Sequence, residues 1–290
     1  MSSNVSPLVL LHGFTGAPAS WDGVAAHLPS DWSLIRPTLL GHVGAAFPPR
    51  STSPEHVVTQ SSSQEYCAPP SCAFSAVQTQ STFDAEVDRL AELVSSHLDT
   101  KAHLCGYSLG GRLALGLLCR HGHLFAGATL IGTHTGLRGL RERQERLSWE
   151  APWIHQLRTE SLRSFVSDWE ALPLFATQRS VSKEARCAQR AIRCGQDPFG
   201  LAKALENLSL ARMPDMYPHL PDLEMPVHFL VGARDLKFLD LAREARFHCP
   251  NATLHSFDEC GHNLVLESPA QVADHILQTC LQERIDDLPV

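Results

Sequence analysis

The chain has 290 residues, 43% of them hydrophobic, with a formal net charge of −7. That length and apolar content allow a large buried core in one or two domains. The acidic balance excludes nucleic acid and an anionic membrane as main partners, because both reward basic surfaces.

The first segment, "MSSNVSPLVLLHGF", has no basic n-region and only a short apolar run, so it reads as a strand leading into "HGF" and not as a signal peptide. No run reaches the roughly 18 apolar residues of a membrane span. "WSLIRPTLLGH" reads as a second strand and loop, with a Gly41-His42 turn whose histidine is as easily incidental as functional. Residues 47–81 are dense in Ser, Pro and Gln and lack periodicity. Such composition buries too little apolar surface to offset its ordering entropy, so a long, partly mobile insertion is expected.

In "FDAEVDRLAELVSSHL", Phe83, Val87, Leu90, Leu93 and Val94 recur at helical spacing. "AHLCGYS" then reads as a strand, "LGGRLALGLLCRHG" as a helix and "FAGATLIGT" as a strand. Alternating strands and helices imply a parallel sheet covered on both faces. From 134 to 215 the pattern turns wholly helical, with 13 Lys and Arg against 10 Asp and Glu, a basic insert in an acidic chain. Strands return in "PVHFLVGARD" and "ATLHSFDECGH", and "SPAQVADHILQTCLQ" closes as a helix. The expected organisation is a core in two parts, 1–133 and 216–290, with a helical cap over 134–215.

Nine cysteines, odd in number and scattered, point to a reducing, cytoplasmic setting. Cys105, Cys119, Cys249, Cys260 and Cys280 read as buried small hydrophobes. Cys67 and Cys72 share a polar loop that suits a disulfide or a weak metal site, but no second ligand pair accompanies them.

Gly106-Tyr107-Ser108-Leu109-Gly110 fits G-x-S-x-G between a strand and a helix, the context of a nucleophile elbow. Asp235 follows one later strand and His262 another, in the Ser, Asp, His chain order of the α/β-hydrolase fold. Asp240 and Asp258 are weaker rivals, since neither sits at a strand exit. The backbone N–H groups of Phe14, in "HGF", and Leu109 suit an oxyanion hole. Arg112 stands four residues past Ser108, on the same helix face. An ester or lipid hydrolase is expected to carry a small or apolar side chain there, so an arginine suggests capture of a carboxylate. Of the insert's arginines, Arg138, Arg141, Arg143, Arg146, Arg186, Arg190 and Arg193, most suit a solvated helix face, with Glu142 four residues before Arg146.

The motifs "LVLLHGFTGAPASW", "GYSLGGRLAL", "HTGLRGLRERQERLSW", "FVSDWEALPLFA", "VGARDLKF" and "CGHN" carry a family resemblance. The chain resembles the α/β-hydrolase-fold lyases of menaquinone biosynthesis, the 2-succinyl-6-hydroxy-2,4-cyclohexadiene-1-carboxylate synthase family, over nearly its whole length outside 47–81. That resemblance implies a 2,5-elimination of pyruvate from a polycarboxylate, with Ser108, His262 and Asp235 as the triad and Phe14 and Leu109 as oxyanion donors. It implies Tyr107 and Trp169 as pocket residues and Arg112, Arg146 and Arg193 as carboxylate ligands, although Arg190 fits the last place nearly as well. It implies no metal or organic cofactor, and the enzyme is expected to be a monomer or homodimer. The insertion and the missing serine in "LLGHVGAAF" depart from the family pattern. The alternative is a serine hydrolase acting on an ester, thioester or C–C bond of a carboxylated small molecule.

Overall fold

Along Leu8–Leu11 (β1) successive side chains point to opposite faces of a sheet, and both faces are apolar. Val9 and Leu11 enter one hydrophobic cluster, Leu8 and Leu10 another. A strand buried on both sides needs helices above and below it. The computed structural model, which describes residues 6–43 and 82–286, supplies them. The 47–81 insertion and Cys67 and Cys72 lie outside the described residues.

Six parallel strands form one sheet in the order β2-β1-β3-β4-β5-β6. The others are β2 (Leu34–Ile35), β3 (Ala102–Tyr107), β4 (Phe125–Ile131), β5 (Val227–Gly232) and β6 (Ala252–Phe257). The expected second strand is only two residues long and ends before Pro37, which has no N–H for the ladder.

On one face pack α2 (Thr82–Ser95), α3 (Leu109–His121) and α8 (Leu236–His248); on the other pack α1 (Asp22–Ala25), α9 (Leu264–Glu267) and α10 (Pro269–Asp286). Helix α2 buries Phe83, Val87, Leu90 and Val94, so its predicted apolar stripe is the face it docks. Cys105, Cys249, Cys260 and Cys280 are buried, while Cys119 is half-buried at the edge of the core.

Between β4 and β5 the described chain is helical: α4 (Leu140–Thr159), α5 (Leu162–Glu170), α6 (Lys183–Cys194) and α7 (Pro198–Asn207). Leu157, Phe165, Val166, Trp169, Phe175, Leu201 and Leu205 give these helices a hydrophobic cluster of their own. Side chains at α5 and α6 N-termini cap them, Ser161 accepting from the Ser164 amide and Ser182 from the Ala185 amide. Among the described residues no helix is long and apolar enough to cross a membrane.

Candidate active site

The turn from β3 into α3 holds Ser108 at φ 53°, ψ −106°, in left-handed territory that a non-glycine residue rarely occupies. Gly110 makes the turn sterically feasible, because a Cβ there would stand 2.2 Å from the Leu11 carbonyl oxygen. A Cβ on Gly106 would meet the Gly110 carbonyl oxygen at 2.5 Å. The Ser108 amide donates to the Ile131 carbonyl at 2.9 Å, which anchors the turn to the end of β4.

His262 follows β6 and Asp235 follows β5, so parallel register brings both to the same sheet edge as Ser108. His262 Nε2 lies 3.0 Å from Ser108 Oγ, and His262 Nδ1 lies 2.7 Å from Asp235 Oδ2. Asp235 occupies the N-cap of α8 but does not cap it with its side chain; the buried carboxylate is committed to the imidazole. Its rival Asp240 pairs with Arg243 instead. A carboxylate that orients the ring, with Nε2 facing a hydroxyl, can deprotonate that hydroxyl. The product is a base or a nucleophile.

The loop after β1 brings Phe14 and its amide to the same cavity as Leu109, at the start of α3. Among the described residues neither amide meets a hydrogen-bond acceptor. Two histidines fix this loop. Thr15, at φ 65°, donates its amide to His42 Nε2 at 3.2 Å, while His42 Nδ1 donates to the Leu40 carbonyl. His12 Nδ1 donates to the Gly13 carbonyl and its Nε2 accepts from the Leu39 amide. Burial lowers His12 to about 4 and His42 to about 3, so both rings stay neutral and can bond in this donor–acceptor sense. Gln196 adds a bridge, its amide group meeting the Gly16 carbonyl and the Val43 amide. His12 and Gln196 went unread in the sequence because their partners are backbone atoms, which carry no residue signature. "GH" at Gly41-His42 was the one local signal.

A cavity of ≈ 1190 Å³ opens between these strand ends and α4–α6. Tyr107, Trp169, Arg112, Arg146 and Arg193 all line it, together with Arg138 and Lys237. The Tyr107 ring lies 5.5 Å from that of His262, and burial pushes its hydroxyl pKa upward. Trp169 stands edge-on to Phe14 at 5.2 Å and stacks on Phe165 at 5.6 Å.

Arg112 donates through Nη1 to the Leu208 carbonyl at 2.9 Å. Burial, then the nearby Arg146, lowers it to about 9, so it remains charged at neutral pH. Arg146 pairs with Glu150 at 2.6 Å, not with Glu142, which instead accepts from the Gly139 amide at the start of α4. Glu150 is also held by Ser209 at 2.5 Å. Arg112 stands beside this pair, where the Glu150 charge offsets part of the repulsion from Arg146.

A second such group forms where Arg193 and Arg190 both bond Glu170. Arg193 is 5% exposed and faces the cavity, whereas Arg190 bonds Ser167 at the outer surface, so Arg193 holds the inward position. Other insert arginines are structural or exposed. Arg143 bonds the carbonyls of Leu137, Ala211 and Met213, and Arg141 pairs with Glu145 on the solvent face.

Fold and strand-end constellation together define a class, and the model of the alpha/beta hydrolase family matches residues 8–275; the chain belongs to that family. Within it the chain is 31% identical over 282 residues, 97% of its length and 94% of the relative's, to 2-succinyl-6-hydroxy-2,4-cyclohexadiene-1-carboxylate synthase from Enterobacter sp. (strain 638). The synthase of the same name from Salmonella paratyphi A is 34% identical over 273 residues, covering 93% of this chain and 92% of that one. This chain is a member of that synthase family. A solved structure of MenH from S. aureus superposes with a TM-score of 0.81 at 25% identity, covering 98% of this chain and 97% of the other.

Proposed function

We propose that this chain is a carbon–oxygen lyase that eliminates pyruvate from the succinyl-enolpyruvyl-hydroxycyclohexene-carboxylate intermediate of menaquinone biosynthesis, forming 2-succinyl-6-hydroxy-2,4-cyclohexadiene-1-carboxylate. The observation that carries this reading is the pair of arginine groups at the cavity wall, one around Arg112 and Arg146 and the other around Arg193. Arg146 pairs with Glu150 while Arg112 stands beside them, and Arg193 and Arg190 both pair with Glu170. Each group keeps a net positive charge for an anionic substrate group. A substrate with several carboxylates matches two such groups; a neutral ester or lipid matches neither.

In this mechanism Ser108 acts as a base. His262, held by Asp235, takes the Ser108 proton, and the resulting alkoxide removes a ring C–H proton. The electron pair forms a C=C bond within the ring, the existing ring double bond shifts toward the carbon that bears the enolpyruvyl oxygen, and that C–O bond breaks; pyruvate leaves as its enolate, which takes up the proton held by His262. Charge developing on the succinyl carbonyl is met by the Phe14 and Leu109 amides, which are oriented before the reaction begins. His12, His42 and Gln196 hold the Phe14 loop in that orientation. Arg112, Arg146 and Arg193 bind carboxylates, and Tyr107 and Trp169 shape the cavity against the ring. Residues 134–215 serve as the cap and 1–133 with 216–290 as the core. The setting is the cytoplasm, and the chain works as a monomer or homodimer without a metal or organic cofactor in this reaction.

The test is incubation of the purified chain with the enolpyruvyl intermediate, following pyruvate release. Release that vanishes in Ser108→Ala is expected. Brisk hydrolysis of p-nitrophenyl esters with no pyruvate release would establish the serine-hydrolase alternative instead.

A further inference from the structure

Three histidines from separate elements converge at the end of β5 opposite Asp235. His228 lies on β5, His255 on the edge strand β6 and His275 on α10. In the sheet register His228 pairs with Thr253 and Leu230 with His255, so the two strand histidines stand two positions apart on one face. Helix α10 lays His275 over that face. The ring centroids are 5.2 Å apart for His228 and His275 and 4.4 Å for His255 and His275. One ring nitrogen from each residue lies within 4.8 Å of the other two.

Thr253 Oγ1 stands between the strand histidines, 2.8 Å from His228 Nδ1 and 3.0 Å from His255 Nε2. A hydroxyl has one proton, so it donates to one ring, accepts from the other and fixes their tautomers. His275 Nε2 is buried and has no hydrogen-bond partner among the described residues. An unpaired buried nitrogen is costly, and a coordinated cation removes that cost. Burial and mutual repulsion lower His228 to about 4 and His275 to about 3, and burial lowers His255. The rings are thus neutral at pH 7, as metal ligation requires. His103, buried on β3, is the further titratable group that faces His228 and His275; it bonds the Thr129 hydroxyl at 2.8 Å.

We propose that His228, His255 and His275 form a binding site for a divalent transition-metal ion of the imidazole-preferring class, with Zn²⁺ as its ligand. Three neutral imidazoles without a carboxylate disfavour Mg²⁺ and Ca²⁺, which need oxygen donors. Tetrahedral Zn–N bonds of about 2.0–2.1 Å place nitrogens roughly 3.3 Å apart. His255 is exposed at the sheet edge, so its ring can turn toward the other two and solvent can supply the fourth ligand. Thr253 is a positioning residue. The bound ion staples the edge strand to the C-terminal helix, away from the cavity and independently of the reaction proposed there.

The full-length chain, free of any affinity tag and stripped with EDTA, would be titrated with ZnCl₂ by calorimetry and with Co²⁺ by visible absorption. The expected result is one equivalent bound, a higher Tm with Zn²⁺ and a Co²⁺ band characteristic of imidazole ligation. His255→Ala and His228→Gln should each lower the affinity at least tenfold and abolish the Tm rise. Thr253→Val should lower it about 10–100-fold with the stoichiometry unchanged. His255 is exposed, so its variant folds even if a change at a more buried position does not. Absence of binding, or binding of equal strength in His255→Ala and His228→Gln, overturns the proposal, since the latter places the metal on other histidines.

Discussion

Replacing Arg112 with alanine separates the proposed lyase from an ordinary serine hydrolase. A guanidinium has five N–H donors, and in Arg112 one nitrogen is engaged by the Leu208 carbonyl at 2.9 Å. Among the described residues Nε and Nη2 meet no acceptor, so on the proposed reading they form a parallel fork for a substrate carboxylate. Charge-assisted hydrogen bonds contribute about 1.5–3 kcal/mol each, and Arg146 retains part of the local positive charge after the change. The expected loss is about 3–4 kcal/mol of transition-state binding, or roughly 10²–10³ in kcat/KM. Pyruvate release from the enolpyruvyl intermediate measures it, and hydrolysis of a small neutral p-nitrophenyl ester, which should fall no more than about threefold, is the control. Arg112→Lys keeps the charge but not the fork, so its loss should be intermediate. The Leu208 carbonyl also loses a partner, which costs about 1 kcal/mol and lowers Tm by roughly 2–4 °C. Equal losses on the anionic and neutral substrates would refute the reasoning and make Arg112 a support for α7.

Arg193→Ala should reduce kcat/KM for pyruvate release by about 30-fold or more, whereas Arg190→Ala should change it less than about threefold, because only Arg193 faces the cavity. Gly110→Ala places a Cβ 2.2 Å from the Leu11 carbonyl oxygen, and urea denaturation should register a loss of about 3 kcal/mol or more. Acid should destabilise the fold well above the carboxylate range. His12 and His42 are held at about 4 and about 3 in the folded chain against about 6.5 unfolded, so the unfolded state binds more protons as pH falls through 6.5. Their contribution is complete above pH 6.5 and is lost progressively toward pH 4. It amounts to about 2 kcal/mol for each ring between pH 7 and 5. A stability curve flat across that interval would contradict neutral burial of these rings.

The grouping of Ser108, His262 and Asp235 was legible in the sequence because each of them sits where a strand ends. Strand ends are announced locally, by an apolar run meeting Gly106, Asp235 or the "CGH" turn. The parallel sheet follows from alternation of strand and helix, and parallel register then brings all strand exits to one edge. Arg112 was readable for the same reason, since four residues along a helix return to the same face. In the insert the direction of a side chain depends on packing between elements far apart in the chain. Arg193 turns inward while Arg190 turns outward on one helix, and both meet Glu170 from another. Arg146 chooses Glu150 over Glu142 because Ser209, 59 residues beyond Glu150, holds that carboxylate in place. The three-histidine cluster shows no motif spacing, since its members lie on two strands and a helix. Local turns and periodicities thus determined the fold and the grouping of Ser108, Asp235 and His262 from the sequence alone. The tertiary structure alone decided which charges face the cavity, because that depends on contacts spanning tens of residues.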